Sequence, residues 1–372
     1  MAIFLCFLLL ILYFILRSNP DRRKAQRIYI YTITIVLCLF SALRNLAVGN
    51  DTYAYYMTYE NVGYSSWTEI FSNFFHDYFH ASNEAKDPGY AVVQKLFQSI
   101  SKNFGVFQFF VALLFISAIG RLIYKNIDSL SGYVLSYGFY ISLFYHYLPN
   151  SSTRQTVAMG LLLWGIILWI EKKMRLIPII IILLASTIHK SSLLGLIPLC
   201  LSGIKNVKYL FVSALFLCPI VFFTGRNVAL FLASMSGSEQ YVDYATSTYY
   251  GEAGKPIMYI IEMFLFYIIG LFQISNISCK MVTSYGRYAI LNFSIAISII
   301  SFIWIDPSLM RIIAYYSLWG IIYLPIILRE YARSIRISLY TIVLVFTLGR
   351  MVVQPIPYKF YWQAMQLHER FE

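Results

Sequence analysis

Charged side chains are scarce in this sequence. Asp, Glu, Lys and Arg make up 12% of its 372 residues, hydrophobic residues make up 59%, and the mean hydropathy is +0.66. A soluble core of this length cannot hide so much apolar surface. The composition therefore excludes a soluble globular protein and predicts an all-α, polytopic integral membrane protein.

Acidic residues are especially few, with 17 Asp and Glu against 29 Lys and Arg, which gives a formal charge of +12. The basic residues form short clusters between apolar blocks, as membrane topology signals do, and no basic stripe is present. This pattern argues against nucleic acid as a partner and indicates membrane lipids as the surroundings.

Motifs for disulfides, metals and nucleotides are also missing. The five Cys residues show no C-x-x-C spacing and lie in or beside apolar blocks, where they are typical of helix packing. No Walker-type loop, His-Glu-x-x-His or Asp-rich box occurs on the predicted outer side. Their absence favours metal-free catalysis without a cofactor, with positive charge supplied by Arg and Lys.

Long apolar runs are what the sequence does contain. A spanning helix needs about 20 apolar residues, and blocks near that length predict about 11–12 transmembrane helices. The blocks are 2–16, 28–43, 105–123, 131–147, 155–170, 176–201, 209–223, 256–273, 288–304, 311–328 and 337–353. Without a linker, charge run or repeat between them, residues 1–372 are expected to form a single transmembrane domain.

The basic clusters assign sides to these blocks. The first block carries no positive charge before it and a basic cluster at 17–27 behind it, which predicts a retained helix with its N-terminus outside. If 17–27 is cytoplasmic, alternation also places Arg121 and the 171–175 cluster on the cytoplasmic side. The basic clusters after residue 201 lie on the cytoplasmic side, as the positive-inside rule requires, only if block 176–201 enters and leaves the membrane from that side.

Block 176–201 is therefore predicted to be a broken or re-entrant hairpin. It carries His189-Lys190-Ser191-Ser192 at its middle and Pro178 and Pro198 towards its ends. The alternative is one tilted span with the following loops on the other side. The outer face then receives a long segment 44–104, a short turn 148–154, a loop 224–255 and the tail from residue 354. The aromatic run at 67–79 predicts an interfacial helix.

Seven ionisable residues interrupt or border helices on the predicted outer side: Arg44, Asp51, Arg154, His189, Lys190, Asp306 and Arg311. Positive charge is normally depleted there, so several converging Arg residues indicate a dianionic ligand such as a pyrophosphate, whose oxygens match the guanidinium fork. Structural alternatives exist for Arg44, as an interfacial anchor, and for His189, as a packing residue. Arg154 follows three hydroxyl residues suited to cap a helix, where the helix dipole disfavours a cation.

These motifs resemble the EpsG family of bacterial membrane proteins, a branch of the Wzy-like O-antigen and exopolysaccharide polymerases. The resemblance is carried by Arg44 with Gly49-Asn50-Asp51-Thr52 and Tyr55-Tyr56, Asp87-Pro88-Gly89-Tyr90, Arg154-Gln155, Ile188-His189-Lys190-Ser191-Ser192, and Arg311 with Tyr315-Tyr316. It spans about residues 40 to 320 in the family's order.

The resemblance implies a GT-C-like glycosyltransferase at the outer, periplasmic face of the bacterial inner membrane. Its expected substrate is an undecaprenyl-pyrophosphate-linked oligosaccharide, used without metal or nucleotide sugar in lipopolysaccharide or exopolysaccharide synthesis. A chain-length regulator and a flippase of the same pathway are the expected protein partners.

Residues and resemblance together yield a hypothesis in which an acceptor sugar hydroxyl attacks a glycan carried on undecaprenyl pyrophosphate. Arg154 and Arg311 stabilise the departing pyrophosphate, with Arg44 or Lys190 in support. His189 or Asp51 is the general base, and the Tyr pair at 55–56 contacts sugars.

Four other classes compete with a polymerase. A flippase of lipid-linked sugar would distribute charges through the membrane depth and show paired repeats, neither of which is seen. An acyl or phosphoryl transferase would share the Arg and His inventory, and a non-catalytic subunit would not need the outer Arg residues. An O-antigen ligase, which joins finished glycan to another acceptor, would have the same sequence features.

Overall fold

A computed structural model describes residues 1–80, 87–174, 176–204, 206–236, 256–276, 283–305, 309–353 and 357–364. All regular structure within these ranges is helical, and the only strand-like contact there is an isolated antiparallel bridge between Arg44 and Phe360. Two compact units result, one of residues 1–193 and 342–372 and one of residues 194–341. The single domain expected from the sequence stays a prediction.

The first unit begins with long helices and a group of shorter ones. They are α1 (Ala2–Leu16), α2 (Arg22–Ala42), α3 (Thr52–Tyr64), α4 (Trp67–His80), α5 (Gly89–Gln98), α6 (Phe104–Asn126), α7 (Leu130–Tyr140) with a π-helical turn Ile141–Tyr145, α8 (Thr153–Lys172) and α9 (Ile177–Ile188). A short 3₁₀ segment, Lys190–Gly195, follows α9.

The second unit contains the later helices. They are α10 (Leu196–Leu201), α11 (Val207–Ser236), α12 (Ile257–Leu271), α13 (Ser284–Ile299), α14 (Phe302–Ile305), α15 (Met310–Ser317), α16 (Gly320–Arg329) and the first part of α17 (Arg333–Val353). Helix α11 continues through Pro219, so residues 224–236 of the predicted outer loop are helical. The rest of that loop, 237–255, lies outside the described residues.

Helix length and apolarity confirm an all-α polytopic membrane protein. Six described helices are long and apolar enough to span a bilayer, and a seventh span results if α15 and α16, bent by 45°, cross together. Four more apolar helices are shorter: Ala2–Leu16, Ile177–Ile188, Lys190–Leu201 and Ile257–Leu271. Ten of the eleven apolar blocks of the sequence correspond to the long helices, the bent pair or the shorter apolar helices. The remaining block, 131–147, is α7 followed by its π-helical turn.

The helices of the first unit sort their polar ends into two groups. Helix α6 runs antiparallel to α2, since a Cβ on Gly105 would lie 3.0 Å from the Ala42 carbonyl and one on Gly120 would lie 2.9 Å from Ile30. At the Gly120 end, Arg27 donates to the Tyr124 hydroxyl at 3.3 Å, and Arg121 holds Glu171 through two hydrogen bonds of 3.0 and 2.6 Å.

The opposite end of the same bundle carries the candidate functional residues. Arg44 follows α2, Arg154 begins α8, and His189 follows α9, which packs antiparallel on α8. This division groups the residues as the positive-inside rule grouped them. The assignment of either end to a membrane face stays a prediction.

The predicted break in block 176–201 is present at His189. Its backbone is extended, with φ −156° and ψ 108°, between α9 and the 3₁₀ segment. The Asp87 carboxylate accepts the Lys190 N–H at 3.1 Å, a bond that replaces the helical one. A polar run inside an apolar block therefore breaks the helix by bonding to a distant side chain, and the choice between a hairpin and a tilted span stays open.

The described residues of the long segment 44–104, predicted to lie outside, form helices α3, α4 and α5. Helix α4 leaves an aromatic stripe uncovered, with Phe71, Phe75 and Phe79 exposed by 45, 55 and 70%. A stripe at this helical spacing is typical of a helix lying at a membrane interface, as the sequence predicts. The buried side of α4 carries Ile70, which is 6% exposed, and not the aromatic residues.

Candidate functional site

Asp87 is the centre of the candidate site. Its side chain is only 9% exposed, and its Oδ2 lies 3.3 Å from Nδ1 of His189 and 3.3 Å from a guanidinium nitrogen of Arg154. Its Oδ1 accepts the backbone N–H of Lys190 at 3.1 Å. We call Asp87, Arg154, His189 and Tyr55 the Asp87 cluster. The four residues belong to four different sequence motifs that lie far apart in the chain.

A close contact between α5 and α9 brings Asp87 to His189. A Cβ on Gly89 would lie 2.2 Å from Oγ1 and 2.8 Å from the carbonyl carbon of Thr187, so only glycine fits there. Asp87 itself has φ +56°, in the left-handed region that non-glycine residues seldom adopt. Pro88 then fixes the start of α5. The Asp-Pro-Gly order thus aims the carboxylate at the end of α9.

Replacing Gly89 by alanine tests this contact. The added methyl group would push α5 away from backbone atoms of α9 and separate Asp87 from His189, so we expect about a 100-fold loss of activity and a lower unfolding temperature in detergent. Gly349→Ala is the matched control, because a Cβ at Gly349 meets nothing within 4 Å. Equal activity and stability of the two variants would show that the close contact is not needed.

Arg154 lies in the first turn of α8, as predicted. Ser152 is the N-cap, but its side chain makes no capping hydrogen bond, so the expected hydroxyl cap is not formed. Instead the guanidinium pairs with Asp87 and lies over the Tyr55 ring, 5.7 Å from its centroid. Asp87 thereby offsets the unfavourable position of a cation at a helix start. With 29% of its side chain exposed, Arg154 retains a face for an anionic ligand.

The tyrosines of α3 differ in their surroundings. Tyr55 is 8% exposed, and its ring meets Tyr90 edge-on with a centroid distance of 5.5 Å. Tyr56 is half-buried against Phe104, with the centroids 5.6 Å apart. Both rings belong to an aromatic layer that also contains Tyr59. Tyr55 therefore supports Arg154, whereas Tyr56 keeps part of its surface exposed, and its contact with a sugar stays a prediction.

The charges of the cluster are mutually stabilising. Burial raises the pKa of Asp87, but the hydrogen bond and charge of His189, the charge of Arg154 and the N–H of Lys190 outweigh it and hold that pKa below its usual value. The carboxylate is therefore ionised at neutral pH. Burial raises the pKa of Tyr90 well above its ordinary value, so its hydroxyl stays protonated despite the nearby Arg154.

Arg44 is buried, with 4% of its surface exposed. It donates to the Ser41 carbonyl and hydroxyl and, at 2.8 Å, to Oε1 of Gln108. Burial lowers the pKa of Arg44 to about 10, which leaves it charged at neutral pH. These contacts make Arg44 a support that joins the loop after α2 to α6. Its role as a pyrophosphate ligand stays a prediction.

The loop that contains Arg44 is fixed on two further sides. Asn45 N–H bonds to the Lys359 carbonyl at 2.9 Å, and the Phe360 ring stacks on Phe40 with centroids 5.7 Å apart. On the other side, Gly49 has φ +91°, and a Cβ there would lie 1.9 Å from the Asn150 carbonyl oxygen. The Gly-Asn-Asp turn predicted from the sequence is therefore held against the loop that precedes α8.

The other predicted site residues lie outside this cluster. Asp51 is the N-cap residue of α3, and its carboxylate makes no hydrogen bond or ion pair within the described part of the chain. The Lys190 side chain is exposed while its backbone N–H binds Asp87. Arg311 is in the first turn of α15, in the second unit, and Asp306 falls outside the described residues. The roles of these residues stay predictions.

Asp87 is the functional residue that the candidate set from the sequence missed. The Asp-Pro-Gly-Tyr motif carries part of the family resemblance, but nothing in that motif alone shows that the carboxylate faces a His 102 positions away. Among the described residues, no three His, Cys, Asp or Glu side chains converge as a metal site requires. Metal independence stays a prediction.

A comparison with known families decides the class of protein. The family model described as EpsG family matches residues 27–365, almost the whole chain. The chain belongs to the EpsG family. The expected family is thus confirmed, and membership together with the helical membrane fold fits a polysaccharide-polymerase-like glycosyltransferase. No curated protein and no solved structure matches the chain.

Proposed function

We propose that this EpsG-family protein is a metal-independent polysaccharide polymerase. It transfers a growing glycan from undecaprenyl pyrophosphate onto the non-reducing end of a lipid-linked repeat unit, at the outer face of the bacterial inner membrane. Its partners are that lipid-linked oligosaccharide, the surrounding lipids and the chain-length regulator and flippase of the same pathway.

One glycosidic bond forms and one sugar–phosphate bond breaks in each cycle. The acceptor hydroxyl oxygen attacks the anomeric carbon of the donor glycan while His189 takes the hydroxyl proton. Undecaprenyl pyrophosphate leaves with the electron pair of the broken bond. Arg154 faces the developing phosphate charge with its fork of donors.

The remaining candidates have supporting roles in this proposal. Arg311 and the exposed Lys190 side chain add positive charge for the pyrophosphate, and Arg44 holds the outer loop in place. Tyr55 and Tyr56 border the sugar path, and Asp51 is the alternative base. The assignment of base to His189 follows from its contact with Asp87, which Asp51 lacks.

The observation that carries the proposal is the Asp87 cluster itself. A His and an Arg that each lie 3.3 Å from one buried carboxylate, at the end of a membrane bundle opposite its basic end, supply a base and an anion site together. Glycosyl transfer from a pyrophosphate uses both a base for the acceptor hydroxyl and positive charge for the leaving group, which supports this function over transport.

A deletion strain tests the proposal. Surface glycan and lipid-linked glycan are separated on gels with and without a plasmid that carries the wild-type chain. We expect single repeat units and no ladder in the deletion strain, and a restored ladder with the plasmid. Polymer retained on the lipid carrier would identify a ligase, repeat units trapped on the inner face would identify a flippase, and a normal ladder would refute all three.

A further inference from the structure

We propose that Asp87 is a positioning residue that fixes the tautomer of His189 and the direction of Arg154. The expected fall in kcat rests on the proposed function, whereas the tautomer of His189 does not depend on it. In the arrangement we infer, His189 carries its hydrogen on Nδ1 and offers the lone pair of Nε2 to the acceptor hydroxyl.

The tautomer follows from the chemistry of the contact. An ionised carboxylate has no hydrogen to give, so the 3.3 Å contact between Oδ2 of Asp87 and the ring requires Nδ1 to donate. The neutral ring then has its only acceptor at Nε2. That atom is buried and has no hydrogen-bond partner among the described residues. Nε2 is therefore the one ring position left for a substrate hydroxyl. Because Nε2 is buried, the side chains that cover it must move when the hydroxyl binds.

Three contacts hold the carboxylate so that this choice is rigid. Oδ1 is fixed by the Lys190 N–H, the residue directly after His189, and Oδ2 is shared between His189 and Arg154. The ring and its carboxylate are thus tied to the same backbone turn. A side chain that only filled space would not need a left-handed backbone at φ +56° to reach this turn.

Sharing of one oxygen couples the two functional groups. When His189 takes the acceptor proton, the new imidazolium strengthens its bond to Oδ2 and competes with Arg154 for it. The guanidinium is then drawn towards the pyrophosphate at the moment that negative charge develops there. Proton uptake and leaving-group stabilisation therefore occur together through Asp87.

The charged groups around His189 come from three segments of the first unit. Asp87 faces the ring from the segment before α5, Arg154 from α8 by way of Asp87, and Lys190 is next to it in the chain. Tyr55 of α3 lies behind Arg154. Asp87 is the only acidic group of this set, so it is the one carboxylate that orients the His189 ring.

The test is nitrogen NMR of the full chain in detergent with ¹⁵N-labelled histidine, where the His189 signals are assigned by their loss in His189→Gln. We expect the Nδ1–H tautomer in the wild-type chain and the Nε2–H tautomer in Asp87→Asn, because an amide can donate to Nδ1. Asn also tolerates a left-handed backbone, so the variant preserves the turn. Asp77→Asn is the matched control, since Asp77 also contacts a His, the exposed His76, at 3.3 Å.

Kinetics complete the test. Asp87→Asn should lower kcat by about 10²–10⁴-fold with a much smaller change in KM, whereas Asp77→Asn should change neither. An Nε2–H tautomer in the wild-type chain, or wild-type kcat in Asp87→Asn, would overturn the inference. If the tautomers are as expected but the wild-type chain does not polymerise, the proposed function fails and the positioning role stands.

Discussion

Replacement of His189 by alanine is expected to stop glycan elongation, with the rate of repeat addition falling by about 10²–10⁴-fold, the usual contribution of a positioned general base. The variant should fold, because the His189 side chain is 16% exposed and, within the described part of the chain, its ring bonds to Asp87 alone. Binding of the lipid-linked donor should change little, since Arg154 remains paired with Asp87.

The measurement is the length distribution of glycan in a deletion strain that expresses His189→Ala, with protein abundance checked in membranes. His76→Ala is the control, since His76 also contacts an Asp but is 65% exposed on α4. A normal ladder from abundant His189→Ala would remove His189 from the catalytic step and leave Asp51 as the candidate base.

Replacement of Arg154 by lysine is expected to cost about 10²–10³-fold in kcat, although the charge is preserved. Lysine supplies a point charge and loses both the guanidinium fork that binds phosphate oxygens and the flat face over Tyr55. The lysine ammonium group can still pair with Asp87, so the variant should keep its fold.

The assay is initial-rate elongation by Arg154→Lys membranes over a range of lipid-linked donor concentrations. Arg22→Lys, at the exposed start of α2, makes the same chemical change away from the cluster and should have no effect. Full activity of Arg154→Lys would show that a single positive charge suffices and that bidentate phosphate binding is not used.

Much of the fold was predictable because a bilayer constrains sequence so strongly. Apolar block lengths predicted the helices, and the basic clusters grouped Arg27 with Arg121 at one end and Arg44 with Arg154 and His189 at the other. The break at His189 was predictable for the same reason, since a polar run cannot lie unbonded inside an apolar block. Helix α11 runs past the predicted end at 223, because Thr224 and Arg226 do not stop a helix that continues beyond the apolar block.

The inner geometry of the site was not predictable from local pattern. Asp87 reaches His189 only because Gly89 lets α5 contact Thr187 of α9, although Gly89 and Thr187 are 98 positions apart in the chain. The role of Arg44 was equally hidden, since its burial depends on Gln108 of α6 and on the tail around Phe360. The sequence around an Arg at the end of a helix does not show whether its side chain faces a ligand or a set of buried hydrogen-bond partners.

The most direct test of the central claim is a reconstituted reaction. The purified wild-type chain in liposomes is given undecaprenyl-pyrophosphate-linked repeat units and EDTA, without nucleotide sugar, and the products are weighed by mass spectrometry. Our account predicts glycans of two, three and more whole repeat units, with one undecaprenyl pyrophosphate released for each bond formed and none with His189→Ala. Repeat units that stay at unit length with folded wild-type protein, or that cross the bilayer without joining, would contradict it.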